Sequence, residues 1–189
     1  MPKHKPLQTK RLTIRPVAPK DAKFILELMN TPKWIKNIGD RNVKTVEDAA
    51  NYVKEKALPQ LETYGYGNNV IIRKADQIKL GTCGLYHREG KPDPDIGFAF
   101  LPAYEGNGYA FEAANELMMA AKNEYKIKEL SAYTLEANLA SRKLLERLGF
   151  NLIGKGTLPK NDEELLHYYR TLDVDFKGST FRQKPIQHP

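Results

Sequence analysis

The order of periodic segments predicts a mixed α+β fold built around one sheet. Three observations carry it. A strand is followed by two helical stretches, a run of strand-like segments occupies the middle of the chain, and a helix–strand–helix unit leads into two closing strands.

Taken in order, residues 1–8 read as a loose arm. Leu12 and Ile14 alternate within Arg11–Val17, predicting a first strand with Pro16 near its end. Pro19 and Asp21 open a helix whose stripe is Phe24, Ile25, Leu28 and Met29, and Thr31-Pro32 stops it. Lys33–Lys44 has no clean period. Thr45 with Asp48 makes a capping box with Asp in place of Glu. The helix it opens runs along Val46, Ala49, Ala50, Val53 and Ala57, with Pro59 near its end. Val70–Lys74 and Gln77–His87 read as a hairpin turning near Ala75-Asp76, and Gly90–Pro94 as a loop.

The stretch from Asp95 to Phe150 is the most informative. Ile96, Phe98 and Phe100 alternate with Gly97 and Ala99, so one face of that strand is bulky and the other small. Gly106-Asn107-Gly108 precedes a helix with Phe111, Ala114, Met118, Ala121 and Tyr125 at helical spacing. Glycines there let backbone N–H groups converge at the positive end of the helix dipole, which is a phosphate cradle. The third glycine of a dinucleotide fingerprint is missing, and no Gly-Lys-Ser/Thr of a P-loop follows. After the strand Glu129–Leu135, Asn138 stands where an N-cap belongs and Gly149 where a left-handed C′ residue belongs, with Ser141 near the inward face. Asn151–Lys155 and Leu165–Val174 read as a closing antiparallel pair, and 176–189 as a polar tail.

Composition bounds the function. Of 189 residues, 41% are hydrophobic and 28% charged, an ordinary globular balance. The lone Cys83 leaves no intramolecular disulfide, and no apolar run reads as a signal peptide or membrane span, so the expected compartment is the cytoplasm. A net charge of +7 favours acidic partners, but the basic residues are scattered and no nucleic-acid-binding motif is present. The four histidines lack metal-ligand spacing, so no metal is expected.

Tyr104-Glu105-Gly106-Asn107-Gly108-Tyr109-Ala110, followed by Asn138-x-x-Ser141-x-x-Leu144-Leu145-Glu146-x-Leu148-Gly149-Phe150, resembles the GNAT superfamily of acyl-CoA-dependent N-acyltransferases. The nearest branch is that of the ribosomal-protein N-terminal amine acetyltransferases. The likeness extends to Thr9–Pro16, Ile38–Arg41 and Gly81–Leu85, and spans roughly 9–173. It implies a mostly antiparallel sheet with splayed central strands flanked by helices, in a single domain over 9–175. It also implies acetyl-CoA as co-substrate, held by the backbone of Gly106, Asn107, Gly108, Tyr109 and Ala110 at the pyrophosphate. Phe100 and Leu101 would hold the pantetheine arm, with Asn138 touching it. Ala103 and Glu105 depart from a pattern in which Arg or Gln is common, and Glu105 adds a negative charge near the phosphates.

Acyl transfer to an amine needs the amine deprotonated, a donor for the thioester oxygen, and a proton for the departing thiolate. Ser141 is the candidate for the last task, or equally a small residue bonding back to its own helix turn. Asp95 shares the small strand face and is the candidate base, or equally a strand-end carboxylate; His87 and a water chain are the alternatives. Trp34, Asp40 and Arg41 lie where relatives place the acceptor loop, although core packing suits Trp34 as well. The reading is an N-acetyltransferase acting on a primary amine, a protein N-terminus or a small molecule, by direct attack in a ternary complex. A binding protein for acyl-CoA without turnover is the rival from another class. The expected assembly is a monomer or homodimer.

Overall fold

Apolar residues at every second strand position and at helical spacing sort onto the two sides of one sheet. The computed structural model describes residues 5–159 and 161–172. Among these, the strands are β1 (Leu7–Gln8), β2 (Leu12–Pro16), β3 (Asn68–Arg73), β4 (Lys79–Tyr86), β5 (Asp95–Phe100), β6 (Glu129–Thr134), β7 (Asn151–Leu158) and β8 (Asn161–Thr171). They form a sheet in the order β1-β2-β3-β4-β5-β6-β8-β7, antiparallel throughout except between β5 and β6. The helices are α1 (Ala22–Met29), α2 (Pro32–Ile38), α3 (Val46–Tyr52), α4 (Leu58–Tyr64), α5 (Tyr109–Asn123) and α6 (Leu139–Arg147). This is the mixed α+β, mostly antiparallel architecture expected from the sequence.

The bulky face of β5 packs Ile96 and Phe100 against Leu117, Met118 and Ala121 of α5, in a core that continues through Leu130, Leu145 and Tyr168. The opposite face covers Val70, Ile72 and Leu101 with Phe24, Ile25 and Leu28 of α1 and Ala49 and Val53 of α3. Burying each such side chain contributes about 1.5–3 kcal/mol, which is what seats the helices. Gly81 permits the closest backbone approach in the sheet. A Cβ there would lie 2.3 Å from the Ala99 carbonyl.

The predicted capping box is present, with Thr45 accepting from the Asp48 N–H and Asp48 from the Thr45 N–H. Four expectations need correction. The loose arm over 1–8 includes β1, paired with β2 through Leu7↔Ile14. Thr31-Pro32 does not merely stop α1; Thr31 caps α2 by accepting from the Trp34 N–H at 3.2 Å, with Pro32 in the first turn. Pro59 does not end its helix either. A π turn over Val53–Ala57 widens the ladder ahead of the proline, and the chain continues as α4 to Tyr64. Finally, β7 runs past Lys155 to Leu158 and β8 begins at Asn161. Residues 1–4 and the 176–189 tail lie outside the described residues.

Candidate functional site

The site begins at the parallel junction. β5 and β6 share a single rung, Asp95↔Ser131, closed by the Ser131 N–H donating to the Pro94 carbonyl at 3.0 Å. Beyond it the strands part and leave a gap. On its other edge β5 is paired with β4 along its whole length. The Leu101 N–H donates to the Leu80 carbonyl at 2.9 Å, and successive residues of an antiparallel strand turn their backbone groups to opposite sides. The N–H and C=O of Phe98 and Phe100 therefore face the gap. Leu101, expected to pair with the cofactor arm, instead gives its N–H to β4 and its carbonyl to the Tyr104 N–H.

At the open end of β5 the chain makes a short turn at Pro102–Tyr104 and enters the glycine loop. Gly106 (φ +75°) and Gly108 (φ +77°) are both left-handed, a conformation that costs L-residues with a side chain about 1 kcal/mol. Gly108 caps α5, whose first-turn N–H groups have no acceptor within the helix. Two arginines flank the loop. The Arg11 Nη1 donates to the Asn107 carbonyl at 3.1 Å, and its guanidinium lies 4.4 Å from the centre of the Tyr109 ring. Arg73 lies over Tyr104 and Tyr109 at 5.3 and 5.9 Å. The acidic departure at Glu105 is neutralised by an ion pair with Lys33 of α2. Both arginines are themselves ion-paired, Arg11 with Glu112 at 2.6 Å and Arg73 with Asp76 at 2.5 Å, so the donor set that fits a pyrophosphate is the loop's backbone N–H groups.

Asn138 caps α6, its Oδ1 accepting the Ser141 N–H at 3.2 Å. The cap occupies the amide oxygen, and no hydrogen bond of the amide NH₂ is seen among the described residues. The Ser141 side chain is half-buried, and its hydroxyl likewise shows no partner, so the bond back to its own turn is not made. Gly149 (φ +81°) ends the helix, with the Phe150 N–H returning to the Leu145 carbonyl at 3.0 Å. A cleft of about 410 Å³ runs between Pro32, Lys33 and Lys36 of α2 and Asn138, Leu139 and Ala140. The two uses of Asn138 can be separated. Asn138→Asp keeps the capping oxygen and removes the NH₂ donor, so melting temperature should hold while the KM for acetyl-CoA rises about tenfold, as expected for a lost hydrogen bond of about 1.4 kcal/mol. Asn138→Ala should raise KM and also lower stability by about 1 kcal/mol.

The remaining candidates are not gathered at that cleft. Asp95 is buried, and both of its oxygens face Arg88, one at 3.0 Å from Nη2 and the other in a shorter contact with Nε. Burial pushes its carboxyl up, opposed by the Arg88 bonds. It is a strand-end ion pair closing the junction. Trp34 packs beside the α1–α3 core with its indole Nε1 buried and unpartnered. Asp40 is exposed, pairs with Lys44 at 2.8 Å, and is held below the usual carboxylate range by that bond and by the Asn42 N–H. Arg41 is exposed. His87 packs on Tyr64 with ring centres 4.4 Å apart. Cys83 is buried, and burial pushes its thiol up to about 12, so it packs as an inert core residue. Sequence reasoning did not find Lys33, Arg73 or Arg88, whose partners are set by tertiary contacts that leave no local pattern. Among the described residues, no three His, Cys, Asp or Glu side chains gather where a metal ion could be held, and no helix is long and apolar enough to cross a membrane.

Comparison with known proteins bears on this arrangement. The acetyltransferase (GNAT) domain family matches residues 11–151. The uncharacterized N-acetyltransferase YnaD of Bacillus subtilis (strain 168) is 29% identical over 165 residues, covering 86% of this chain and 94% of YnaD. A GNAT-family acetyltransferase structure from Bacillus anthracis superposes with a TM-score of 0.74 at 25% identity, over 90% of this chain and 100% of that one. The ribosomal L7/L12 α-N-protein acetyltransferase RimL, solved with coenzyme A, shares the fold with a TM-score of 0.76 at 18% identity, over 90% and 100% of the chains. The chain belongs to the GNAT acetyltransferases.

Proposed function

We propose that the protein transfers the acetyl group of acetyl-CoA to the α-amine of a protein N-terminus, by direct attack with both substrates bound. The observation that carries this reading is the single β5–β6 rung, which leaves a backbone-lined gap between the glycine loop and Asn138. The ribosomal-protein acetyltransferases among the structural neighbours support the choice of acceptor, as does a net charge of +7 suited to an acidic assembly.

Acetyl-CoA supplies the activated acyl group. The N–H groups of Gly106, Asn107, Gly108, Tyr109 and Ala110 hold the pyrophosphate, beside Arg11 and Arg73, whose charges are paired with Glu112 and Asp76. The outward N–H and C=O of Phe98 and Phe100 bind the arm, and a donor there polarises the thioester carbonyl. The Asn138 NH₂ fixes the arm from the opposite wall. The Ser141 hydroxyl gives a proton to the departing sulfur, directly or through water. A panel of peptides with free and blocked N-termini, polyamines and aminoglycosides tests the acceptor. Thiol release should follow the free N-terminal peptides and depend on their sequence; release with polyamines or aminoglycosides alone would make this a small-amine enzyme.

A further inference from the structure

The small face of β5 carries an aromatic ring that the roles above leave unused. Gly84 of β4 and Gly97 of β5 are cross-strand partners, and Tyr86 stands beside them, paired with Asp95. A Cβ at Gly84 would come 2.8 Å from the Tyr86 hydroxyl, and one at Gly97 would come 3.1 Å from its Cε2. The ring therefore lies across both strands, over two positions that must lack a side chain to seat it. The Arg88 guanidinium, tied to Asp95, lies 5.3 Å from the centre of that ring. Next along the same face, Ala99 packs against the α1–α3 core. The Tyr86 hydroxyl shows no hydrogen bond among the described residues, so packing and the neighbouring cation hold the ring.

Tyr86 borders the narrow end of the gap, whose other boundaries are equally firm. On the opposite face Ile96 and Phe98 turn into the core under α5. At the closed end stands the Asp95↔Ser131 rung, its two residues 3% and 4% exposed. Asp95 is held there by Arg88, and the Ser131 Oγ lies 2.9 Å from Nε2 of His167. Across the gap Tyr133 follows Ser131 on the same face, its ring stacked on His167 with centres 4.5 Å apart. Gly97, Phe98 and Ala99 are only half-buried, so the gap still reaches the β5 backbone.

The cofactor arm, entering at the glycine loop, passes Phe100 before Phe98, so the acyl group comes last and faces the narrow end. We propose that Tyr86 is the wall that limits the donor to acetyl and excludes longer acyl groups. This rests on the acetyl-transfer reading above. An acetyl group places a single methyl beyond the thioester carbonyl. The extra methylenes of a butyryl group have two ways to go. One is into the rung, which would break the Arg88–Asp95 pair. The other is into the volume that the Tyr86 ring occupies. Forcing methylenes into filled space drives side chains off their rotamers and shifts backbone, so neither route is open while the ring is seated.

The test compares kcat/KM for thiol release from acetyl-, propionyl- and butyryl-CoA, with one amine acceptor held constant. The ratio between donors within one preparation does not depend on how much of a variant is folded. The unaltered protein should prefer acetyl-CoA over butyryl-CoA by roughly 100-fold, since a refused methylene is worth about tenfold or more. Tyr86→Ala should shrink that preference below about tenfold. Tyr86→Leu, which keeps apolar packing, should move it in the same direction. Tyr86→Phe keeps the ring and should hold the preference within about threefold of the parent. Equal use of butyryl-CoA by the unaltered protein, or a preference unmoved in both Tyr86→Ala and Tyr86→Leu, would overturn the wall while leaving acyl transfer intact. A shift in Tyr86→Phe as large as in Tyr86→Ala would assign the selectivity to the hydroxyl and overturn the wall as well. No thiol release by the unaltered protein from any donor with any amine would overturn the transfer reading and the wall together.

Discussion

Asp21→Asn is expected to lower stability by about 3 kcal/mol, toward the lower end of what breaking a buried ion pair costs. The Asp21 side chain is wholly buried at the start of α1. Its oxygens accept from Arg15 of β2 at 2.7 and 2.8 Å, from the Ala18 N–H at 2.9 Å, and face Lys79 of β4 at 2.7 Å. One carboxylate thus ties the first helix to two strands. Asparagine keeps the shape but leaves two partly buried cations without a counter-charge. The urea midpoint should fall with little change in slope. The pH dependence has a definite sign. Burial pushes the carboxyl up, but the bonds from Arg15, Lys79 and Ala18 win and hold it well below the usual range. Its stabilisation is therefore complete above the unfolded value near 3.9 and lost as pH falls through the folded one. Between pH 4 and pH 2 the parent should lose more stability than the variant.

Ser141→Ala should reduce kcat about 100-fold while changing the KM for acetyl-CoA less than about threefold. The cap to Asn138 uses the Ser141 backbone N–H, which alanine retains. The hydroxyl has no partner among the described residues, so its loss leaves no buried group stranded. Alanine is also the better helix former, and the melting temperature should hold or rise slightly. Unchanged kcat would remove Ser141 from the chemistry; a raised KM with unchanged kcat would make it a binding residue.

What was legible in the sequence was what is local. The alternation of β5, the Thr45–Asp48 box, the Asn138 cap and the left-handed Gly149 each declare themselves within a few residues, and each is present. Helix α2 was missed because none of its residues is fully buried, so no apolar stripe marks it. Its signal was Thr31 followed by Pro32, which serves a helix start as well as a stop. β7 was partly missed for a related reason. Only Asn151–Lys155 was legible; Gly156, Thr157 and Leu158 carry no apolar alternation, and pairing with β8 holds them in the strand. The site was legible as glycine loop plus Asn138. It was not legible where register or distant partners decide, as at Leu101, whose N–H the β4 register claims, and at Asp95, whose fork to Arg88 is a tertiary contact. The Lys33–Glu105 and Ser131–His167 contacts join residues 72 and 36 positions apart, and nothing in either neighbourhood announces the other.

The most direct test of direct transfer is the initial rate of thiol release measured with acetyl-CoA and an N-terminal peptide varied against each other. Attack within a ternary complex predicts intersecting double-reciprocal lines and no acetyl group retained on the protein when the amine is left out. Parallel lines, with an acetylated protein recovered in the absence of acceptor, would contradict it.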